Sequence, residues 1–502
     1  MVHTTKDAQY VLEGFHTLVK KQMEMWNVSG LALAIVKDGE VIMAEGFGYR
    51  NVEQKLLVTP TTLFAIGSCT KAFTAMAAAQ LIDEEKLEWD SPVHTYFPDF
   101  EMYDPMAADR ITMRDMLCHR TGLPRHDNIW YGSFLTREEI IKRIKYLEPN
   151  VDFRSTWQYN NIMYTAAGYI AGHVAGCTWE QLVQERIFDP LEMNESEFSV
   201  NELKLHDNAG VPYIEQEGQL RKVEYCNLDA IGPAGSINST VMDMSNWLIA
   251  NLENGAFKGK RIISEKNLVT LHSPQMPCPP MLFGKKEFSL SCYGLGWGFE
   301  SYRGYRMLQH GGGTDGFTSH ISFLPDEGIG IVLLTNRQGT MLPTSLALTV
   351  YDRLLNLDPI DWCEQLREDI QKWEAQRKQM AVENATSGGE AVLISSTTLQ
   401  RYEGHYEHPG YGTIKVQVVE NGLQAVFHTG CFRLSQTGER VFTIHSDEQK
   451  THRLHKRRSC PTWMILIMLD SSFPIGKFTD SLYECHGIRC PLIFSHTIVR
   501  RR

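Results

Sequence analysis

The sequence predicts an α/β fold: an antiparallel sheet formed by N- and C-terminal segments, an inserted helical region, and a partial or aberrant C-terminal β domain. Three observations carry this. Apolar runs of strand type occur near residue 30 and again after residue 300. The long stretch between them is apolar at helical spacing. A separate alternating run with its own turn begins at about residue 398. At 502 residues the chain is too long for one ordinary domain. We read residues 1–360 as the main domain, 361–397 as helix and linker, and 398–502 as a β domain, aberrant after about residue 431.

The opening "MVHTTKDAQYVLEGFHTLVKKQMEMW" mixes charged and apolar residues at helical spacing, so an amphipathic helix leads the chain. In "GLALAIVKDGEVIMAEGFGYRN" two apolar runs flank Asp38-Gly39, a pair that supplies the positive φ angles of a tight hairpin. From about Phe64 to Pro280 the period is helical, as in "ITMRDMLCHRTGL", "IMYTAAGYIAGHVAG" and "VMDMSNWLIANLENG". The last ends on a glycine suited to a helix C-terminus. Strand patterns return after "YGLGWGFE" with "YRMLQH", "FTSHISFLP" and "GIGIVLLTN". The helix "DWCEQLREDIQKWEAQRKQMAVE" leads into a linker, "NATSGGEA". The β domain opens with "LQRYEGHYEHPGYGTIKVQVVENGLQAVF", turning at Asn421-Gly422.

From Cys431 onward the chain carries 12 Lys and Arg against 6 Asp and Glu, and 4 of the 11 cysteines. It includes "HRLHKRRSC", the apolar block "WMILIML" and the end "VRRR", with little strand alternation. A basic tail for an acidic partner is one reading. An altered reading frame that truncates the β domain is the other, and we favour it; the tail is assigned no function.

Apolar residues make up 43% and charged residues 22%, the balance of a globular protein. A net charge of −11 disfavours nucleic acid as partner. The N-terminus lacks the basic-then-apolar order of a signal peptide, and no run approaches the length of a membrane span. Eleven scattered cysteines without a Cys-x-x-Cys pair fit reduced thiols and a cytoplasmic location. The expected partner is a small-molecule or short-peptide substrate, with no nucleic acid and no membrane.

Three short motifs carry chemistry. "FAIGSCTKAFTAMAAAQLI" puts Ser68 and Lys71 three apart at a helix start, where their side chains share a face. A serine hydroxyl is a weak nucleophile until a base removes its proton, and a lysine in apolar surroundings can be that base. On this motif alone, a structural helix cap explains Ser68 as well as catalysis does. "STWQYNNIMYTAAGYIAG" places Tyr159 and Asn161 just ahead of a helix. Tyrosine beside a cation can relay protons, and asparagine can hold an amide. "MLQHGGGTDGFTSHISF" places His310 before three glycines that admit a substrate to backbone N–H groups. It also matches Gly-x-Gly-x-x-Gly at Gly311, Gly313 and Gly316, but a strand follows instead of a helix, so a dinucleotide site is rejected.

Ser-x-x-Lys, Tyr-x-Asn and His-x-Gly in this order resemble the penicillin-recognising serine hydrolases, most closely class C β-lactamases, D-aminopeptidases and related esterases. The supporting stretches are "ITMRDMLCHRTGLP", "ERIFDPLEM", "GPAGSINSTVMDMSNWL" and "YGLGWGF", and the likeness spans about residues 10–355. "YEGHYEHPGYGTIKV" resembles the start of a lipocalin-like domain appended to some bacterial members. The resemblance implies a β-lactamase/transpeptidase-like fold and an acyl-enzyme on Ser68, with Lys71 as general base. Tyr159 would relay the proton to the leaving group and then activate water. Asn161 would hold the substrate amide, and the backbone N–H groups of Ser68 and Gly313 would form the oxyanion hole. His310 would line the site wall, where many members carry lysine.

That departure lowers fixed attraction for a penicillin carboxylate and favours peptidase or esterase action over β-lactamase action. If His310 must be neutral, activity should rise with pH through about 6.5. No metal or cofactor is called for; His405 and His408 are spaced like ligands but are read as decoration of a β surface. The competing reading is a non-catalytic scaffold or binding protein of the same fold.

Overall fold

The computed structural model describes residues 13–280, 284–387, 399–420, 422–436, 441–446, 464–469 and 495–501. The chain divides into two units, Met1–Gly122 with Val151–Ala375 and Leu123–Asn150 with Gln376–Arg502.

The first unit is built on one antiparallel sheet. Helix α1 (Phe15–Met25) buries Phe15, Val19, Gln22 and Met23, the single stripe its charged and apolar spacing dictates. Strands β1 (Gly30–Lys37) and β2 (Glu40–Asn51) are joined by Asp38 and Gly39, whose φ angles of 52° and 77° make the tight turn. β1 is buried along nearly its whole length, which is why it reads as an unbroken apolar run. A short β3 (Leu56–Leu57) follows.

The helical insertion comes next. Its main pieces are α2 (Thr70–Asp83), α3 (Met113–Leu117), α4 (Asn161–Ala175), α5 (Gly232–Gly235) and α6 (Val241–Leu252). A reciprocal Thr112–Asp115 capping box starts α3, and Gly176 ends α4 at φ 75°. The glycine expected at the end of α6 is Gly255, which is left-handed at φ 83° and donates back to the Ala250 carbonyl at 2.9 Å. Glu253 is the cap, and the left-handed positions are Asn254 and Gly255.

The chain then returns to the sheet as β4 (Met276–Pro277), β5 (Phe288–Tyr293), β6 (Gly298–Tyr302), β7 (Tyr305–Thr314), β8 (Phe317–Leu324) and β9 (Ile329–Thr335). The nine strands run in the order β4-β5-β6-β7-β8-β9-β1-β2-β3. β9 pairs antiparallel with β1, setting Leu33 opposite Leu333, so both ends of the unit share one sheet. Helices α7 (Leu342–Leu354) and α8 (Trp362–Ser387) follow. Phe15, Val19, Leu31, Leu33, Leu333, Leu346, Tyr351 and Trp362 belong to one apolar core. α8 runs to Ser387, so the first half of the expected linker is helical; 388–397 lie outside the described residues.

The second unit contains a closed barrel. Its strands are β10 (Gly404–His408), β11 (Gly412–Val419), β12 (Gly422–Phe427), β13 (Gly430–Gln436), β14 (Val441–Ser446), β15 (Met464–Leu469) and β16 (Ser495–Arg501). They pair in chain order, with β15 and β16 parallel and β10 meeting β16 to close the ring. Alternation along β11 and β12 buries Ile414, Val416, Leu423, Ala425 and Phe427.

Asn421 of the expected turn and the "HRLHKRRSC" segment lie outside the described residues. His405 is exposed, and His408 Nδ1 accepts from the N–H groups of Gly410 and Tyr411. The excursion Leu123–Asn150 belongs to this unit. His126 Nδ1 meets Tyr411 Oη at 2.5 Å, His428 Nε2 meets the Asn128 carbonyl at 3.0 Å, and Arg143 donates to the Gly410 carbonyl at 3.2 Å. Among the described residues no helix is long and apolar enough to cross a membrane, and the cysteines are free thiols.

Candidate active site

Ser68 stands in a tight 3-10 turn, Gly67–Cys69, that runs into α2. The N-cap residues Ile66 and Cys69 make no side-chain cap bond, and Ser68 Oγ lies instead 3.1 Å from Lys71 Nζ. Lys71 is fully buried. Its ammonium end donates to Asn161 Oδ1 at 2.8 Å and to the Ala234 carbonyl at 2.7 Å. The same amine therefore reaches two carbonyl oxygens and the Ser68 hydroxyl.

Small residues make this convergence possible. α2 is buried on all sides from Thr70 to Leu81, which is why its sequence is rich in alanine. Thr74 Oγ1 donates to the Pro233 carbonyl at 2.7 Å, fixing α5 against α2. A Cβ on Gly168 of α4 would come within 2.4 Å of Pro233, so only glycine lets α4 and α5 meet. On the far side Phe73 stacks on Trp247 of α6 with centroids 4.0 Å apart. Three helices thus hold the amine in one place.

Tyr159 precedes α4, whose N-cap is Asn160, with its side chain accepting from Met163 N–H. The Tyr159 ring is half-buried, and Lys71 Nζ lies 4.7 Å from its centroid. Asn161, which the sequence placed ahead of the helix, is the first helical residue. β7 supplies the opposite wall. A Cβ on Gly67 would stand 2.7 Å from Gly313 N, and one on Gly312 would stand 1.9 Å from the Ile66 carbonyl. These close approaches seat the exposed Gly313 backbone beside the Ser68 turn. Asp315 and Gly316 turn β7 into β8, a strand pair as the rejection of a dinucleotide site requires.

His310 is 7% exposed and its ring stands 6.3 Å from that of Tyr159. Nδ1 lies 2.7 Å from the Gly311 carbonyl, so it carries the proton, and Nε2 accepts from Tyr293 Oη at 3.0 Å. Burial first, and the charge of Lys71 second, push its pKa down to about 3. The expected titration near 6.5 is therefore corrected: His310 is neutral throughout the ordinary working range. Burial also pushes the neighbouring Cys69 thiol up to about 12, so it is no rival nucleophile.

Sequence reading named Ser68, Lys71, Tyr159, Asn161, His310 and Gly313, and the structure brings all six to one place. It missed the Ala234 carbonyl, Tyr293 and His119. Each lies in a stretch noted for its resemblance, "GPAGSIN", "YGLGWGF" and "CHRTGLP", but carried no assigned role there. His119 is fully buried with its ring 4.4 Å from that of Tyr159.

A family model described as beta-lactamase matches residues 15–353, and a domain of unknown function (DUF3471) matches residues 390–460. The chain is 27% identical to an unguisins hydrolase of Aspergillus campestris, over 83% of this chain and 80% of that protein. It is 26% identical to protein flp of Staphylococcus aureus, over 68% of this chain and 65% of that one. Its fold is similar to that of the octameric penicillin-binding protein homologue from Pyrococcus abyssi, with TM-score 0.62 and 23% identity over 87% of this chain and 94% of that one. With two thirds of its length matched by that family model, and the motif residues gathered in one site, the chain belongs to the beta-lactamase family.

Proposed function

We propose that the protein is a serine hydrolase that forms an acyl-enzyme on Ser68 and cleaves amide or ester bonds of small peptides or related acyl compounds. The observation that carries this is the bonding of Lys71: its amine donates to Asn161 Oδ1 and the Ala234 carbonyl and stands 3.1 Å from Ser68 Oγ. In its neutral form the amine directs its lone pair there and accepts the hydroxyl proton as Oγ attacks the carbonyl carbon. The backbone N–H groups of Ser68 and Gly313 receive the developing oxyanion. Tyr159, beside the ammonium so formed, passes a proton to the leaving group and then draws one from the deacylating water. Asn161 meets the substrate amide through its NH2 donor.

Amide or ester substrates are favoured over penicillins because the wall residue is a neutral histidine. His310 offers no fixed charge to a carboxylate, and both its ring nitrogens are engaged. A cytoplasmic location is part of the proposal, supported by the scattered spacing of the cysteines.

Intact-mass spectrometry after exposure to a fluorophosphonate tests the reading. The parent protein should gain one adduct, and Ser68→Ala none, while the alanine variant keeps its melting temperature within a few degrees. An equal adduct on Ser68→Ala would overturn the assignment. A panel of D- and L-amino-acid amides, p-nitrophenyl esters and a cephalosporin then sets the acyl class. Absence of turnover on every member, together with no adduct, would favour a scaffold of the same fold.

A further inference from the structure

We propose that His119 is a positioning residue for Tyr159, an inference that rests on the proton-relay role given to Tyr159 above. Tyr159 is a half-buried residue on an irregular segment, and its ring meets Trp157, Tyr293 and His310 as well as His119. His119 holds the chain on both sides of it. The His119 carbonyl accepts from Gln158 N–H at 2.8 Å, and the His119 ring Nδ1 accepts from Asn160 N–H at 3.1 Å. Between those two anchors the imidazole lies against the phenol ring, with centroids 4.4 Å apart and planes tilted by 40°.

The anchor is itself rigid. His119 is fully buried and touches Tyr164 and Tyr293 at 4.9 and 4.8 Å between centroids. Tyr164 is tied to the Leu117 carbonyl at the end of α3, so the whole group is referred to the helical core. His119 also adopts φ 62°, a left-handed conformation that a non-glycine residue holds only when its surroundings over-determine it. Strain of this kind is spent where geometry matters. Two backbone bonds and one ring contact converge on the residue between them.

The role predicts a particular split in kinetics. A misplaced phenol slows proton delivery and water activation, but leaves Lys71 against Ser68 and therefore leaves attack on a reagent with a good leaving group. His119→Ala should lower kcat on a p-nitrophenyl ester by about 100-fold, the order expected for a misplacement near 1 Å, and because acylation is spared KM should fall by a similar factor, leaving kcat/KM within about threefold of the parent. Fluorophosphonate labelling of Ser68 should stay within about threefold of the parent, and an acyl adduct should accumulate during turnover.

His119→Asn keeps an acceptor near the Nδ1 position and tolerates the left-handed backbone, so it should recover about tenfold of the lost kcat. If the alanine variant does not fold, the asparagine variant decides alone, with an expected loss of about tenfold in kcat and visible adduct. A kcat within about threefold of the parent in a folded variant, or labelling that falls as far as turnover, would overturn the proposal. A failed hydrolase reading shows differently, as absence of adduct on the parent protein.

Discussion

His310 occupies the place on β7 where a charged side chain would command the site, and the protein keeps it neutral. Donation from Nδ1 to the Gly311 carbonyl and acceptance at Nε2 from Tyr293 fix one tautomer. A second proton would put a charge on a buried ring and stand near the Lys71 charge, which is why the pKa falls to about 3. A group protonated only below that value contributes no inflection to a pH profile in the ordinary range. Parent and His310→Asn should therefore give pH–kcat curves of the same shape from about pH 5 to 8, a window chosen around the free histidine value. An inflection near 6.5 in the parent that vanishes in the variant would show that the ring titrates. At this scale the side chains were legible, because the proposed nucleophile, base and relay have chemical types that a motif displays. The Ala234 carbonyl was not, since a backbone acceptor has no residue identity. His119 escaped because its partner Asn160 is 41 positions away and nothing local links them.

Elements bring these residues together through glycine, and β7 shows the requirement most sharply. Gly312 lies under the Ile66 carbonyl and Ser319 Oγ, where an added Cβ would stand 1.9 and 2.2 Å away. Ile66 immediately precedes the Ser68 turn, and Ser319 donates to its carbonyl at 2.7 Å, so strand and turn are stapled at this point. Gly312→Ala must push β7 outward by a distance on the order of 1 Å, carrying Gly313 N–H away from Ser68, the proposed nucleophile. Turnover and fluorophosphonate labelling should both fall by about 100-fold, with a lowered melting temperature from the broken staple. Labelling within about threefold of the parent would mean that β7 does not contribute to the oxyanion site. The elements themselves were largely legible: Asp38-Gly39 sets the first hairpin, and the three late strand patterns became β7, β8 and β9. Boundaries were less so, because helix ends depend on caps such as Asn160 whose alternatives are close in energy. The excursion Leu123–Asn150 carries no compositional break, and its allegiance comes from long-range bonds such as His126 with Tyr411.

At the scale of the whole catalytic unit, neutral buried histidine recurs. His272 and His320 join His310 in the interior, with pKa values pushed down by burial to about 3 and about 4. His272 meets Asn251 Oδ1 at 3.1 Å beside Trp297, and His320 meets Ser322 Oγ at 3.0 Å. Each is neutral in the folded chain and takes a proton near 6.5 once unfolded. Above that value both states are neutral and the groups leave stability untouched. As pH falls from 6.5 toward 4, the unfolded state gains protons that the folded state refuses, so stability drops by on the order of 1 kcal/mol per pH unit for each histidine. Melting followed by tryptophan fluorescence should therefore fall steeply from about pH 6.5 to 4.5, a window set by the unfolded and folded values. Trp297, 6.1 Å from His272, serves as the reporter in the core. His272→Gln, which keeps a donor for Asn251 and cannot become cationic, should make that slope shallower by on the order of 1 kcal/mol per pH unit, the share of one such histidine. An unchanged slope would place the acid sensitivity in carboxylates such as Asp115, held below its usual range by Arg154 and Arg120.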